Sequence, residues 1–332
     1  MKVKFLIIRF SSIGDIVLTS PVVRCLRNQF DGEVEIHFLT KNKFKYLVEH
    51  NPNIDKVITI KEKVSEITQL LMAEDYQYVI DLHKNIRSGQ VKSRIDGVSL
   101  TFQKLNLEKW LLVNLKINKL PKQHIVDRYL KPLEFFDVNY DGEGLDYFLP
   151  PDLETDQIFK DETLINQGYF VFAIGGSFST KRLPKNKIIE ICKNLNHKVV
   201  LLGGPEDDQV AKNIVEKVGE KCLSLCGEIS VHQSAWVIKN SKGVITHDTG
   251  MMHIAAAFNK PIASIWGNTI PEFGMYQIMP KEKPSPNKIF EVKNLNCRPC
   301  SKLGFEKCPK HHFKCMNDIK SDEISEFANS WI

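Results

Sequence analysis

Val244-Ile245-Thr246-His247-Asp248-Thr249-Gly250-Met251-Met252-His253-Ile254-Ala255-Ala256-Ala257 passes from an apolar strand through Asp-Thr-Gly straight into an apolar helix. The run Gly243–Thr246 is short and apolar, which suits a strand covered on both faces. Gly250–Phe258 stays apolar for more than two turns, as a helix packed on such a strand would. A parallel strand reaches its neighbour only through a crossover of this kind. The neighbour follows as Ile262–Trp266, read as the last strand, and stops at Gly267. At the turn, Asp248 or Thr249 can cap the helix. Gly250 lets a ligand approach the backbone, and the amides near Gly250 and Met251 sit at the positive end of the helix dipole. That combination suits a diphosphate. A capped core helix without ligand is the plainer reading of the same residues.

The rhythm extends outward. Upstream lie strand Tyr169–Ile174, helix Lys185–Asn194, strand Lys198–Leu202 and helices Asp207–Val218 and Val231–Asn240. Three strands run into glycine, at Gly175-Gly176, Gly203-Gly204 and Gly267. In open α/β sheets ligands bind at those carboxyl ends. The first 80 residues repeat the pattern, with strands at Lys4–Arg9, Val34–Leu39, Val57–Ile60 and Tyr78–Leu82. Helices are expected at Asp15–Asn28, Lys43–His50, Val64–Glu74 and Asp127–Phe136. Asp141–Glu154, rich in Gly, Pro and acids, reads as a linker. The expectation is an α/β protein of two domains, 1–150 and 151–332.

Composition agrees. A chain of 332 residues with 42% hydrophobic and 26% charged residues can bury two cores. No apolar run approaches the roughly 18–20 residues of a membrane span. The first strand is interrupted at Arg9 and no small-residue cleavage site follows, so no signal peptide is read and a cytoplasmic location is expected. The net charge is +5, but Leu82–Lys131 holds eleven basic residues against three acids. Such a stretch is either a solvated face or a surface for an anionic partner. Few aromatics interleave it, which argues against nucleic acid.

Two further loops carry chemistry. Ile174–Pro184 follows its two glycines with Ser177, Lys181 and Arg182, and those cations could neutralise a departing diphosphate. Ser11-Ser12-Ile13-Gly14-Asp15 follows the first strand. Asp15 could accept the proton of an attacking hydroxyl, or could cap the helix beginning at Ile16, the commoner fate of Asp there. This turn lacks the G-x-G-x-x-G that a dinucleotide oxidoreductase would need. Of the eight cysteines, Cys25, Cys192, Cys222 and Cys226 read as small core residues. Cys297 and Cys300 fit one zinc ligand pair, but Cys308 and Cys315 are too far apart for a standard knuckle. Reduced thiols packing a loop are expected, with a structural zinc as the alternative.

The order of these signals resembles glycosyltransferase family 9, the ADP-heptose:lipopolysaccharide heptosyltransferases, from Lys4 to about Ile319. The residues that carry the resemblance are Arg9–Val17, Asp81-Leu82-His83-Lys84-Asn85, Gly203-Gly204-Pro205-Glu206, the helix start at His247–Ala257, and Lys260-Pro261 through Trp266-Gly267-Asn268-Thr269. The resemblance implies a GT-B fold, two Rossmann-like domains facing each other across a cleft, the first binding the acceptor and the second the nucleotide sugar. It implies an inverting transfer of heptose from ADP-heptose to the lipid A–Kdo inner core, with no cofactor required. Asp15 then corresponds to the catalytic base. Lys181 corresponds to the cation on the donor phosphates, and Asp248, Thr249 and Gly250 to the diphosphate loop. Ser177 joins the donor set, Glu206 or Asp207 should reach the ribose, and His253 supports the loop from below. Ser12, Lys84, Arg87 and Arg94 form the acceptor set, matched to an anionic core. The partners implied are the donor, that acceptor and, peripherally, the inner membrane surface. Leu183 and Met251 depart from the family pattern, where Trp and Pro are frequent, and bear on which nucleotide sugar is taken. A related transferase with another nucleotide sugar, a non-catalytic glycan-binding module and an epimerase on the same fold are the other readings.

Overall fold

In the computed structural model, which describes residues 2–159 and 163–331, the chain divides into two compact units. One comprises Met1–Leu105 with Gln123–Phe148, the other Asn106–Lys122 with Leu149–Ile332.

The first unit is built from β1 (Val3–Ile8), α1 (Ile13–Val17), α2 (Ser20–Gln29), β2 (Val34–Lys41), β3 (Lys56–Ile60), α3 (Thr68–Ala73), β4 (Tyr78–Asp81), α4 (Ile86–Lys92) and β5 (Val98–Thr101). The chain then leaves for α5 (Asn106–Trp110), in the second unit, and returns for α6 (Ile125–Leu130). All five strands are parallel, in the order β3-β2-β1-β4-β5. The central strand is closed on both faces, and Phe5, Leu6, Ile7 and Ile8 have no exposed surface. That is why it reads as an unbroken apolar run.

The single helix expected over Asp15–Asn28 is two helices. Pro21 has no N–H and is tolerated only in a first turn. The chain therefore stops at Val17 and restarts at Ser20, with Pro21 in the first turn of α2. Thr19 secures the break by donating from Oγ1 to the Ile16 carbonyl at 2.6 Å. The expected linker is likewise packed over its first half. Arg24 of α2 pairs with Asp141 at 2.8 Å and with Asp146, and donates to the Gly144 carbonyl at 3.0 Å. Leu145 and Tyr147 are buried.

The second unit continues with α7 (Thr163–Gln167), β6 (Tyr169–Ala173), α8 (Lys185–Asn194), β7 (Lys198–Leu202), α9 (Asp208–Val218), β8 (Cys222–Ser224), α10 (Val231–Asn240), β9 (Gly243–His247), α11 (Gly250–Ala257), β10 (Ile262–Trp266), β11 (Asn287–Glu291), α12 (Lys314–Asn317) and α13 (Ser321–Asn329). Its strands are parallel in the order β11-β10-β9-β6-β7-β8. β10 is not the last strand: β11 pairs along its whole length. Phe170, Phe172, Val199, Leu201, Ile245 and Ile265 form the centre of the core.

Both sheets are doubly wound. Chain order reverses between β1 and β4 in the first unit, and between β6 and β9 in the second. In such sheets the crevice for a ligand opens at the carboxyl ends of the two strands flanking the reversal. Four of the loops singled out in the sequence, after β1, β4, β6 and β9, are those; the Gly203–Glu206 loop follows β7, one strand further out.

Candidate active-site loops

In the second unit, Ala173 of β6 lies opposite Thr246 of β9, so the loops that follow start side by side. The β9 loop is two residues long, Asp248 and Thr249. Thr249 holds the N-cap position of α11 but its side chain caps nothing. Asp248 does not cap either, contrary to the sequence reading. Its Oδ2 instead pairs with Lys181 Nζ at 2.6 Å and accepts from Thr269 Oγ1 at 2.8 Å. The first-turn amides of a helix have no partner within it. Here they are left uncapped by the side chains placed to serve them, at the positive end of the dipole. Asp248, Thr249 and Gly250 are each half-buried. Lys181 is held beside this turn and also reaches the Asp248 carbonyl at 3.3 Å.

The glycines after β6 and β7 have a steric reason. A Cβ on Gly175 would lie 2.6 Å from Asp207 Oδ2, and one on Gly203 would lie 2.8 Å from Asp207 Cβ. The two loops close over this carboxylate. Asp207 is buried; it pairs with Arg182 Nη1 at 2.9 Å and accepts from the Gly204 amide at 2.9 Å. Burial pushes its carboxyl above the usual range, against the lowering effect of Arg182. The structure therefore makes Asp207 a brace inside the loop, facing away from solvent, and not a group free to reach a ribose. Arg182, also expected to meet the diphosphate, spends its guanidinium on Asp207 and on the Gly176 carbonyl at 2.7 Å. Ser177 and Glu206 remain exposed at the rim.

The β9 motif holds one more residue, to which its local sequence assigns no role. His247, the last residue of β9, is fully buried. Its Nε2 accepts from the Leu183 amide at 2.9 Å, and its Nδ1 faces the Gly175 carbonyl at 3.4 Å. The neutral ring with its proton on Nδ1 satisfies both. Burial drives its pKa down to about 4. His247 thus ties the β6 loop, the Lys181–Leu183 segment and β9 together. His253 is also buried, on α11.

In the first unit, Ile8 of β1 lies opposite Asp81 of β4. Asp15 stands in the first turn of α1, neither at its N-cap nor before it; Ser12 is the N-cap. Asp15 Oδ2 accepts from the Ser12 amide at 3.1 Å and from Ser12 Oγ at 2.7 Å. Its Oδ1 pairs with Arg9 Nη2 at 2.6 Å, and the Asp15 side chain keeps 25% of its surface exposed. Arg9 is the part sequence reasoning missed. It is buried, stacks over the Tyr129 ring at 5.6 Å, and donates to the carbonyls of Ser11, at 2.8 Å, and Leu82. One guanidinium therefore joins the β1 and β4 loops and fixes the carboxylate between them.

The β4 loop is organised by Asp81, which has no exposed surface. It accepts from the amides of His83 and Lys84, from Ser88 Oγ at 2.8 Å, and from Lys92 Nζ at 3.0 Å. Asn85 and Ser88 then cap α4 reciprocally, at 2.9 Å each way. Beside Arg9 and Phe10, burial lowers the His83 pKa to about 4. Lys84 is exposed at the start of this loop, and Arg87 lies over the Phe10 ring at 5.7 Å. Arg94 is not with them. It follows the far end of α4, where it donates to the Gln90 carbonyl at 2.6 Å. A helix after a parallel strand runs back along the sheet, so its end lies at the opposite edge. The expected acceptor set therefore splits: Ser12, Lys84 and Arg87 share the switch-point edge and Arg94 does not.

No three of the four C-terminal thiols come within 4.8 Å of one another among the described residues, though Cys315, whose pKa burial raises, lies near enough to Cys300, Cys308 and Cys297 for each to raise it further. Cys297 Sγ lies 3.8 Å from His312 Nε2. Burial and its neighbour Cys297 push Cys300 up to about 11. Among the described residues, the one group with metal-like spacing is Glu35, His37 and Glu74. Its Glu74 is already neutralised by Lys4, at 3.1 Å, and Lys56.

Two Rossmann-like units, each with its charged loops at the reversal of its sheet, define a GT-B type protein. The family model of glycosyltransferase family 9 (heptosyltransferase) matches residues 64–303. The chain belongs to that family and is a glycosyltransferase. Lipopolysaccharide heptosyltransferase 1 of Campylobacter coli is 26% identical over 353 aligned positions, covering 97% of this chain and 96% of the relative. Among solved structures, a family 9 glycosyl transferase from Veillonella parvula superposes with a TM-score of 0.75 at 19% identity, covering 99% of this chain and 96% of the other. The E. coli heptosyltransferase WaaC with ADP gives 0.70 at 18%, covering 99% and 100%. At those identities the superpositions speak for the fold.

Proposed function

We propose that this chain transfers heptose from ADP-heptose, with inversion, to the lipid A–Kdo inner core of lipopolysaccharide, working peripherally at the inner membrane. The observation that carries this reading is Lys181, fixed by Asp248 beside the uncapped start of α11. That is a cation beside helix-start amides that no side chain caps, at one switch point, which is what a departing nucleoside diphosphate needs. The Campylobacter coli relative supplies the class of sugar and acceptor, and the ADP in the E. coli structure supplies the nucleotide.

In this reading the second unit takes the donor. Lys181, the amides at Thr249 and Gly250, and Ser177 hold the diphosphate, and Glu206 takes the ribose. The first unit takes the acceptor, with Lys84 and Arg87 on its anionic groups. Asp15 is the base. Ser12 Oγ donates to Asp15 Oδ2 at 2.7 Å, as an acceptor hydroxyl would in this reading. The carboxylate removes that proton as the oxygen attacks the anomeric carbon from the face opposite the diphosphate. The diphosphate leaves with its charge met by Lys181 and α11. The scheme requires no cofactor.

The test is a panel of nucleotide sugars, read first as protection against thermal unfolding and then as transfer to delipidated inner core. ADP-heptose should protect most and be the sugar transferred. Asp15→Ala should lower turnover about 10²-fold or more while keeping donor protection. Protection by a different nucleotide sugar alone would replace the donor, and near-normal turnover without Asp15 would remove it as base.

A further inference from the structure

The basic stretch contains a segment that the transfer chemistry does not use. Asn106–Lys122 leaves the first unit and packs on the second. Its inner side is Leu112, Val113 and Leu120, set on Ile270 and Phe273. Lys109 lies over the Phe273 ring at 5.8 Å. Lys116 Nζ donates to the carbonyls of Val113, at 3.0 Å, and Pro299, at 2.7 Å. The segment is thus anchored along its length.

The same segment exposes four large apolar side chains. Leu107 is 66% exposed, Trp110 and Leu115 53% each, and Ile117 45%. Leu107 and Trp110, three residues apart on α5, share one face. Such a group of large apolar side chains on a folded surface marks an interaction site. The lysines that follow, Lys119 and Lys122, are exposed too. Glu108 is the only acid between residues 106 and 122. An indole with aliphatic neighbours, flanked by cations, matches the boundary between acyl chains and anionic headgroups.

We propose that Leu107, Trp110, Leu115 and Ile117, with Lys119 and Lys122, form the surface by which this enzyme docks on an anionic lipid bilayer. No helix among the described residues is long and apolar enough to cross a membrane, so the patch acts by lying in the headgroup layer. The partner is a lipid surface because charge and apolar area occur together; a second protein copy would need a matching acidic face. The inference extends the reading of a lipid-linked acceptor.

The experiment uses the full chain and vesicles of phosphatidylcholine, with or without phosphatidylglycerol. Trp110 is the one exposed tryptophan among the described residues, since Trp266 is buried and Trp236 and Trp331 are half-buried. Binding should shift its emission to the blue, favour the anionic vesicles and weaken with salt. Trp110→Phe should float with vesicles but lose the shift. Leu107→Ser with Trp110→Ser, and separately Lys119→Glu with Lys122→Glu, should each weaken flotation by about tenfold or more with unchanged circular dichroism. Flotation of both double variants at the wild-type level overturns the proposal. So does a wild-type dimer that the serine variant dissolves without any vesicle binding. Transfer is read on vesicle-embedded and on delipidated acceptor; the serine variant should slow only the first. Vesicle binding without transfer to either acceptor would leave the surface standing and sink the proposed reaction.

Discussion

Lowering the pH should weaken the second unit through His247, and the size of the effect follows from its burial. The ring has no exposed surface and a pKa of about 4, against about 6.5 in an unfolded chain. The folded pKa is the depressed one. Above pH 6.5 the ring is neutral in both states and contributes no pH dependence. As the pH falls below 6.5 the unfolded chain takes up a proton that the folded site refuses, until about pH 4. Stability is lost across that window, by about 2 kcal/mol between pH 7 and pH 5. All four tryptophans belong to the second unit, so urea unfolding followed by their fluorescence reports that unit alone. His247→Gln keeps a side chain able to donate and accept but removes the titration. Carboxylates contribute equally to both proteins, so the difference between their slopes isolates the imidazole. The wild type should lose about 2 kcal/mol more than the variant over those two pH units. Parallel slopes would mean that the ring titrates normally, and that it does not bind the loops as a neutral link.

Three further outcomes are expected. Lys181→Met should lower transfer by about 10²–10³-fold and abolish the thermal protection given by ADP; protection that survives would place the diphosphate elsewhere. Gly203→Ala drives a methyl against Asp207 Cβ and should cost about 1–3 kcal/mol, seen in the same fluorescence transition, whereas an unchanged midpoint would show the loop to be loose. Arg87→Ala should lower kcat/KM for the acceptor by about tenfold and Arg94→Ala should leave it unaltered, because only Arg87 shares the edge with Asp15; equal losses would restore Arg94 to the acceptor set.

How far the sequence carries depends on where each element lies in its sheet. Interior strands such as β1, β6 and β9 are enclosed on both faces and announce themselves as apolar runs. The three strands that reading missed, β5, β8 and β11, are edge strands. Val98-Ser99-Leu100-Thr101 has two exposed positions, Cys222–Ser224 is three residues long, and Asn287–Glu291 begins with two exposed polar residues. With one side open to water and few buried positions, these three carry no pattern that separates them from a loop; β3, the remaining edge strand, is legible as Val57–Ile60 because Ile58 and Ile60 are buried. Glycines were legible as a class, but their cause was not: Gly175 and Gly203 are small because of Asp207, a residue some thirty positions from the first.

The loops themselves show why charged residues are harder to sort than apolar ones. Seen along the chain, Asp15, Asp81, Asp207 and Asp248 are all acids at strand ends, equally fit to cap, bind or catalyse. Their burial separates them. Asp81 and Asp207 lie under their loops with several donors each, and an ionised group can remain there only if it is so paired. Asp15 and Asp248 stay partly exposed, each pinned at one oxygen by a cation, Arg9 or Lys181. The two units thus solve one problem alike. A reactive loop must hold charge in place before any ligand arrives, so a second, buried polar group is set beneath it. Arg9 serves the first unit, through the Leu82 carbonyl, and His247 serves the second, through Leu183 and Gly175. Both act across loops far apart in sequence, which is why no local motif could have assigned them.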